Sequence, residues 1–288
     1  LDYFETIPTA YRTAVLAGGL VAFWALESAI PLFSSTAGRF RHAALNIFFT
    51  LTTLAVNLGL AVLLVSASDF TTRAGFGLLY LAGLPIWIRV LGGLLLLDLI
   101  GAYAIHWLEH RYRILWRFHL IHHTDASIDV TSGLRHHPGE SVFRAVFTIL
   151  AVLLAGVPIG VVLLYQTLSA LFAQLTHANI RSPERFDRLV SIVFVTPNMH
   201  KVHHHYRQPL TDRNYGNIFS VWDRVFGTFA DVKQLAELTY GIDTHMKPEE
   251  HDDLVNLLSI PFQKFRAPVG SKFATAEMPE EFDDIETG

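Results

Sequence analysis

Two histidine-rich stretches are expected to decide the fold, HWLEH at residues 106–110 and HLIHH at residues 119–123. A third stretch, HKVHH at residues 200–204, lies much further along the chain. Histidines spaced at i, i+3 or i, i+4 lie on one face of a helix, where two imidazoles can bind the same metal ion. The chain has 15 histidines and no cysteine, so nitrogen atoms would supply such ligands.

The composition excludes several classes of protein. Of the 288 residues 51% are hydrophobic and 17% charged, whereas average chains carry about 25% charged residues. The net charge of -4 argues against a nucleic-acid partner, which requires a basic face. Because cysteine is absent, disulfides, thiolate zinc sites and cysteine nucleophiles are excluded together.

Long apolar runs predict membrane-spanning helices. Residues 13–33 and 43–67 each approach the roughly twenty apolar residues needed to cross a bilayer. Pro85 separates a short interfacial piece from a third span, expected from about residue 86 to residue 107, which delivers the first histidines at its far end. The transmembrane part is therefore predicted over residues 13–107.

The basic residues predict the orientation of these spans. Arg39 and Arg41 lie between the first two spans, and the segment after His110 carries Arg111, Arg113 and Arg117. Two spans separate these basic segments, so both face the same side of the membrane. By the positive-inside rule that side is the cytoplasm.

Residues 142–176 are expected to form a hairpin of two helices. As one straight helix they would run about 50 Å, well beyond the ~30 Å hydrocarbon core. The sequence Gly156-Val-Pro158-Ile-Gly160 near the middle is a strong helix breaker. A hairpin also returns His177 to the side of the membrane on which His137 lies, whereas a single tilted helix would separate the two residues.

The remainder of the chain is polar and too short in apolar runs to span a membrane. Residues 189–195 are expected to be packed core, and residues 273–288 to form a disordered acidic tail. We expect one domain over residues 1–288. Its histidine-rich cap consists of residues 106–140 and 177–230. The predicted fold class is thus an all-α integral membrane bundle of about three spans plus a hairpin, capped by a cytosolic di-metal region.

The spacing and topology together predict a shared metal site. They place the three histidine stretches, with His137 and His177 between them, at one membrane face. Eight to ten imidazoles are too many for one ion but suit two. A disordered zinc buffer would instead scatter its histidines away from apolar neighbours. The isolated His42, His245 and His251 are interpreted as ordinary polar residues.

Imidazole suits iron, zinc, copper and nickel, so the ligands alone leave the metal open. Two redox ions at the membrane boundary favour oxygen activation against a lipid chain. Hydrolytic sites more commonly include carboxylates, and a transport path would place ionisable ligands near the bilayer midplane.

Further motifs around the histidines give a specific resemblance, which covers roughly residues 95–230. The series HxxxH, HxxHH, HxxHH resembles the histidine boxes of the fatty acid hydroxylase/sterol desaturase superfamily of integral-membrane di-iron oxygenases. The accompanying motifs are Asp98 and Tyr103, LWRFHLIHH at 115–123, LRHHPGE at 134–140, HANI at 177–180, TPNMH at 196–200, DRNYG at 212–216 and WDRVFGTF at 222–229.

The resemblance implies roles for individual residues. The implied metal ligands are His106, His110, His119, His122, His123, His200, His203 and His204, completed by His137 and His177. Asp98, Asn179, Asn214 and Asp223 would orient imidazoles or hold the local structure. His136 and His205 adjoin predicted ligands but depart from the family pattern, so their ligation stays open.

The resemblance also implies the chemistry. It predicts a membrane-bound non-haem di-iron oxidoreductase that uses O2 to hydroxylate or desaturate a C–H bond of a lipid such as a sterol or fatty acyl chain. The expected cofactors are two iron ions, for which zinc can substitute in preparations, with O2 as co-substrate. The electron donor would be external, of the cytochrome b5, ferredoxin or reductase type, because no flavin, haem or nicotinamide fingerprint is present.

Two alternatives remain open. The first is an ether-lipid (alkylglycerol-type) monooxygenase using a pterin reductant. The second, from another class, is a non-catalytic membrane protein that binds or transports metal. The expected location of the protein is the bacterial inner membrane or the endoplasmic reticulum, with several spans and with the metal site on the cytoplasmic face.

Overall fold

A computed structural model describes residues 5–34, 38–81, 83–232 and 235–274, and within these ranges the chain is helical and forms no β-strand. The predicted all-α class is therefore confirmed. In chain order the α-helices are α1 (Thr9–Ala29), α2 (Arg39–Ala74), α3 (Leu78–Leu81), α4 (Ile86–Asp98), α5 (Ile105–Arg111), α6 (Arg113–His123), α7 (Pro138–Ala155), α8 (Ile159–His177), α9 (Glu184–Val190), α10 (Pro197–His203), α11 (Val221–Val225), α12 (Pro248–His251) and α13 (Leu254–Ser259). A π-helical segment, Leu99–Ala104, joins α4 to α5 without a break.

Helices long and apolar enough to cross a membrane occur at five places in the described chain. They are Thr9–Ala29, Arg39–Tyr80, Ile86–Arg111, Pro138–Ala155 and Ile159–His177. Large apolar side chains point outward from them; Leu58, in the middle of α2, is 74% exposed. Such a surface suits lipid rather than water, and the chain is an integral membrane protein. The predicted arrangement of three spans and a hairpin has the same five helices, although the crossing of each one stays a prediction.

The break that was predicted near Pro158 is present. Gly156 ends α7 with a left-handed backbone, φ 72°, and Pro158 lies immediately before α8. A Cβ at Gly156 would come within 2.3 Å of the Phe76 carbonyl oxygen, so a close approach as well as the turn requires glycine. The side chain of Ser68 donates to the Val157 carbonyl over 2.8 Å and ties this turn to α2.

Four of the five long helices, α2, α4, α7 and α8, pack around one apolar core, whereas α1 packs against Val130, Ala178 and Ile180 in a separate cluster. Leu97 of α4, Val152 of α7 and Val161 and Val162 of α8 are buried together. Asp98, the residue after Leu97, is also fully buried. The hairpin helices thus hold the third span in place, and with it the first histidines at its end.

A buried glutamate in the first span fastens the cap to the membrane helices. Glu27 accepts hydrogen bonds from the backbone N–H groups of Val130 and Asn179, each over 3.0 Å, and it pairs with Arg39. Val130 and Asn179 belong to the two histidine-rich segments. One carboxylate therefore fixes both segments against the ends of α1 and α2.

Two expectations about the chain change, and a third is not tested. Arg39 and Arg41 lie in the first turn of α2 rather than in a linker. The interpretation of residues 189–195 as packed core is wrong, because Leu189 is 68% and Ile192 54% exposed, and Val195 is the deeply buried member. The acidic tail lies outside the described residues apart from 273 and 274.

Candidate metal centre

A sharp reversal between two helices brings the first two histidine stretches together. Tyr112 has an extended backbone, φ -113° and ψ 120°, between α5 and α6. It interrupts the helical hydrogen bonds, so α6 folds back against α5. His106 and His110 on one helix then face His119 and His123 on the other.

These four histidines and one from the third stretch form the first cluster, the five-histidine group. Its members are His106, His110, His119, His123 and His203, all buried, with their ligand nitrogens within 4.8 Å of one another. The Nε2 atom of His123 lies 3.2 Å from Nε2 of both His110 and His119.

The second cluster, the four-histidine group, forms around the end of α8. Its members are His122, His177, His200 and His204. The Nε2 atom of His177 lies 3.0 Å from that of His200, 3.1 Å from that of His204 and 3.2 Å from that of His122. One ring nitrogen therefore faces three others.

Each HxxHH stretch is divided between the two groups. His119 and His123, four residues apart, enter the five-histidine group, whereas His122 turns to the other group. In the third stretch His200 enters the four-histidine group and His203 crosses to its neighbour. The rings of His123 and His204 stack across the boundary with centroids 4.9 Å apart, so the two groups are adjacent.

The spacing of the nitrogens fits metal ions. Imidazole nitrogens bind zinc or a similar ion at about 2.1 Å, so ligands at right angles stand roughly 3.0 Å apart. The observed 3.0–3.2 Å separations match that value. Hydrogen bonding cannot account for the second group, because the single lone pair of His177 Nε2 cannot accept three N–H donors. A cation at the centre of each group would satisfy all of these nitrogens.

Hydrogen bonds on the outer ring nitrogens fix which nitrogen carries the proton. Nδ1–H of His106, His203 and His177 donates to the carbonyl oxygens of Tyr215, Arg213 and Ala173 over 2.8, 2.6 and 2.7 Å respectively. The lone pair of each of these rings must then lie on the inward-pointing Nε2. The Nε2 atoms of His106 and His203 have no hydrogen-bond partner among the described residues, as expected of nitrogens that bind a metal ion.

Carboxylates orient two further members of the five-histidine group. His110 Nδ1 lies 3.0 Å from Asp212, and His119 Nδ1 lies 2.8 Å from Glu140. A carboxylate partner raises the electron density on the metal-facing nitrogen and holds the ring in place. Asp212 and Glu140 occur in the DRNYG and LRHHPGE motifs, but sequence reasoning gave them no role.

Burial keeps the cap histidines neutral. Removal from water lowers the pKa of His122, His123, His200 and His204 well below the ordinary value of 6.5, and neighbouring imidazoles lower it further. A lowered histidine pKa favours the unprotonated ring near pH 7, which is the metal-binding form.

A buried charged cluster supports the five-histidine group from behind. Arg144 of α7 donates to Glu109 over 2.5 Å and to Glu140 over 2.8 Å. Glu109 and Glu140 are both completely buried, and His136 Nδ1 lies 2.8 Å from Glu140. The arginine lets two carboxylates share an interior position without mutual repulsion. Sequence reasoning also gave no role to Glu109, which lies inside the first histidine stretch. Its position in the sequence does not show whether its side chain is buried or exposed.

One predicted ligand lies apart from both groups. His137 precedes α7, where its Nδ1 accepts a hydrogen bond from the Gly139 N–H over 2.9 Å, and its Nε2 faces the Leu258 carbonyl at 3.3 Å. The side chain is engaged as a helix cap. Its assignment to the ligand set is therefore corrected, while the other nine predicted ligands are brought together.

His136 and His205, whose ligation stayed open, differ in their surroundings. The ring of His136 stacks on that of His122 with centroids 4.8 Å apart and forms a smaller cluster with His119 and Glu140. His205 turns away, and its Nδ1 faces the Arg207 carbonyl at 3.1 Å.

Four residues, listed below with their partners, were expected either to orient imidazoles or to hold the local structure. Their hydrogen bonds support the second role. Asp98 accepts from the N–H groups of Ile218 and Phe219 and from Trp222 Nε1. Asp223 accepts from the N–H groups of Tyr215 and Gly216, and Asn214 donates to the carbonyls of Met199 and Ala230. Asn179 donates to the Phe33 carbonyl. They brace the loops that carry the ligands.

Fold and geometry together define a helical membrane protein with two adjacent histidine groups suited to metal ions. The family model described as fatty acid hydroxylase matches residues 90–228. This match, over just under half of the chain, confirms the resemblance inferred from the motifs.

Curated relatives have related names. An ornithine lipid hydroxylase of Rhizobium tropici is 29% identical over 158 residues, 55% of this chain and 46% of the relative. The alkylglycerol monooxygenase of Danio rerio is 29% identical over 163 residues, 55% of this chain and 34% of the relative. A cholesterol 25-hydroxylase-like protein of Danio rerio is 31% identical over 146 residues, 50% of this chain and 51% of the relative. The matched region thus spans about half or less of these relatives. No solved structure matches the chain significantly.

Proposed function

We propose that the protein is a membrane-bound non-haem di-iron oxidoreductase that uses O2 to hydroxylate or desaturate a C–H bond of a lipid. The observation that carries this proposal is the pair of adjacent, buried, all-histidine groups, with Nε2 atoms converging at 3.0–3.2 Å. The names of the relatives support a lipid oxidation.

When bound, two iron ions would supply O2 activation, which protein side chains cannot perform. In hydroxylation one oxygen atom enters the C–H bond and the other leaves as water, which consumes two electrons and two protons from an external donor. In desaturation two hydrogens leave the lipid and O2 is reduced to two water molecules, again with two electrons and two protons from the external donor. Iron is favoured over zinc because this chemistry requires a redox-active ion; zinc would occupy the same nitrogens without supporting it.

The residues of the chain position and insulate this centre. The Nδ1 acceptors fix the rings, and burial excludes bulk water from every member of both groups. Arg144, Glu109 and Glu140 provide a compensated charge behind the five-histidine group. The transmembrane helices would hold the lipid chain, so selection between substrates would rest on apolar shape.

The location we propose for the centre is the cytoplasmic face of the bacterial inner membrane or the endoplasmic reticulum. Arg39 and Arg41 begin α2 at the end of the bundle where α5 delivers its histidines, and Arg111, Arg113 and Arg117 follow at the same end. This basic side is expected to face the cytoplasm, where a cytochrome b5, ferredoxin or reductase could deliver electrons.

A second candidate is an ether-lipid monooxygenase. Alkylglycerol monooxygenases of Caenorhabditis elegans and Danio rerio are 26% and 29% identical over the matched regions, which favours this reading of the same site. It differs in its substrate, an alkyl ether, and in its reductant, a pterin.

Comparison of lipids from cells that express active and inactive protein tests the proposal. Cells with the wild-type chain should contain lipids that have gained one oxygen or lost two hydrogens, and His203→Ala should abolish these products. His245→Ala is the matched control, because His245 is equally buried but belongs to neither group. Products that persist in His203→Ala would refute the assignment, and a product cleaved at an ether bond would favour the second candidate.

A further inference from the structure

A surface on the cap is apolar although it lies outside the long helices. It consists of Phe186, Leu189, Ile192, Val193, Val225 and Phe226, here called the cap patch, and each member is between 47% and 68% exposed. The residues come from α9, from the turn after it, and from the end of α11 with the residue that follows it. When separate segments contribute exposed apolar side chains to one surface, that surface is typical of a binding surface. Single exposed apolar residues, by contrast, are common on any protein.

Contacts connect the cap patch to the membrane helices. Phe226 stacks on Tyr103 of the third span with ring centroids 5.3 Å apart. Phe194, which follows Val193, packs against Phe172 of α8 at 5.8 Å. The cap patch and the residue next to it therefore lie directly against two spans.

The depth of these contacts is informative. Tyr103 precedes His106 by three residues and Phe172 precedes His177 by five, so these rings lie roughly 5–8 Å closer to the membrane centre than the histidines, at 1.5 Å per residue. A surface at that level meets the headgroup and upper acyl region rather than open water.

Basic residues border the apolar surface. Arg185 and Arg188 on α9 and Arg224 on α11 are all exposed, and Arg224 donates to the Ser191 carbonyl over 3.1 Å, which joins the two segments. The chain as a whole carries a net charge of -4, and α9 itself also carries Glu184 and Asp187, which balance its two arginines in number. Asp187 is buried, whereas both arginines are exposed. Apolar residues flanked by arginine are typical of a surface that lies in an anionic membrane interface.

We propose that the cap patch is embedded in the same membrane that the helices cross, with Arg185, Arg188 and Arg224 binding anionic lipid headgroups. The cap is then held in the leaflet, and its histidine groups stand at the edge of the hydrocarbon. The proposal depends on the fold and the surface alone, so it stands or falls independently of the oxidative chemistry.

The absence of cysteine allows a direct test with single introduced thiols. The full chain is labelled with an environment-sensitive fluorophore at Leu189→Cys or Val225→Cys and placed in nanodiscs of phosphatidylcholine with phosphatidylglycerol. Nitroxide-labelled lipids quench fluorophores in the bilayer, and iodide quenches those in water. Leu58→Cys in the middle of α2 is the deep control, and Glu249→Cys, on an exposed surface of α12, is the water control.

Labels at 189 and 225 should be quenched several-fold more by lipid nitroxides than the label at 249. A nitroxide near the headgroup should be more effective than one near the acyl terminus, the reverse of the result at 58. Quenching by iodide to the level seen at 249 would overturn the proposal. Protection from both quenchers would also overturn it, since it would indicate cover by a second copy of the chain.

Charge substitutions test the role of the arginines. In the Leu189→Cys background, Arg185→Gln with Arg188→Gln should remove the extra lipid quenching that phosphatidylglycerol confers over phosphatidylcholine alone. Lys247→Gln, which removes an exposed charge beside α12, is the matched control and should leave the difference intact. Equal effects of both substitutions would overturn the role of the arginines.

Discussion

The two histidine groups differ mainly in what holds their outer nitrogens. In the five-histidine group, the Nδ1 atoms of His106, His110, His119 and His203 all face an acceptor, and two of these acceptors are carboxylates. In the four-histidine group His177 alone has such a partner, while the Nδ1 atoms of His122, His200 and His204 have none among the described residues.

This difference has a physical consequence. Rings with an acceptor on Nδ1 lose little freedom when they bind an ion, and a carboxylate behind the ring adds negative charge that favours a cation. We therefore expect the five-histidine group to bind its ion more tightly. The four-histidine group should exchange its ion more readily.

Removal of a ligand should have the largest effect and should separate the groups. His119→Ala should lose the ion of the five-histidine group, and His200→Ala the ion of the other group, so that each variant keeps about one of two ions. Oxidation of lipid should fall to background in both, because the chemistry requires the pair. Metal analysis of purified protein measures the first effect, and His245→Ala should retain both ions. Identical, complete loss in both variants would show that the groups do not bind independently.

Removal of a carboxylate behind a ligand should have the next largest effect. Glu140→Gln is expected to weaken binding at the five-histidine group by about 10–100-fold, the usual cost of losing such a partner. Competition with a chelator measures this affinity, and the four-histidine group should be unaffected. Glu184→Gln, on the exposed surface of α9, is the control. If the weakening falls on the four-histidine group instead, the proposed asymmetry is wrong.

Acidification should affect the groups in sequence. The pKa of His122, His200 and His204 is lowered in the folded protein from 6.5, so the unfolded chain binds more protons once the pH falls below that value. Stability therefore rises with pH and is lost on acidification, by about 1.4 kcal/mol per pH unit for each fully neutral histidine.

Unfolding temperature and retained metal between pH 7.5 and 5.5 provide the measurement. The ion of the four-histidine group should leave first, because Asp212 and Glu140 offset positive charge in the other group. Simultaneous release of both ions, or a stability that increases on acidification, would contradict this account.

The smallest effect is expected at His137. His137→Ala should leave the metal content of both groups unchanged and lower the stability by about 1 kcal/mol, the typical cost of a lost helix cap. His137→Asn, which can cap in the same way, should restore most of the loss. A drop in bound metal would return this residue to the ligand set.

Much of the fold could be predicted from the sequence because helix periodicity and apolar length are local signals. The break at Gly156 and Pro158 and the convergence of the three histidine stretches followed from such signals. The family pattern added His177, at the end of α8, to the set.

Other features depend on tertiary packing and have no local signal. The division of each HxxHH stretch between two groups depends on the direction from which α10 approaches α6. His137 caps a helix instead of joining a histidine group because of its contacts with the Gly139 N–H and the distant Leu258 carbonyl. The burial of Glu109 depends on Arg144 in another helix. Leu189, Ile192 and Val193 were wrongly predicted to be core, because an apolar run has the same composition whether it is buried or exposed.

The most direct test of the central claim is a titration of the metal-free protein with ferrous iron under anaerobic conditions, followed by O2 and mass spectrometry of the bound lipid. The two groups predict saturation at two iron ions per chain, in two steps of different affinity. Oxidised lipid should form only after the second step. Saturation at a single ion, or lipid oxidation that does not depend on iron, would contradict the account.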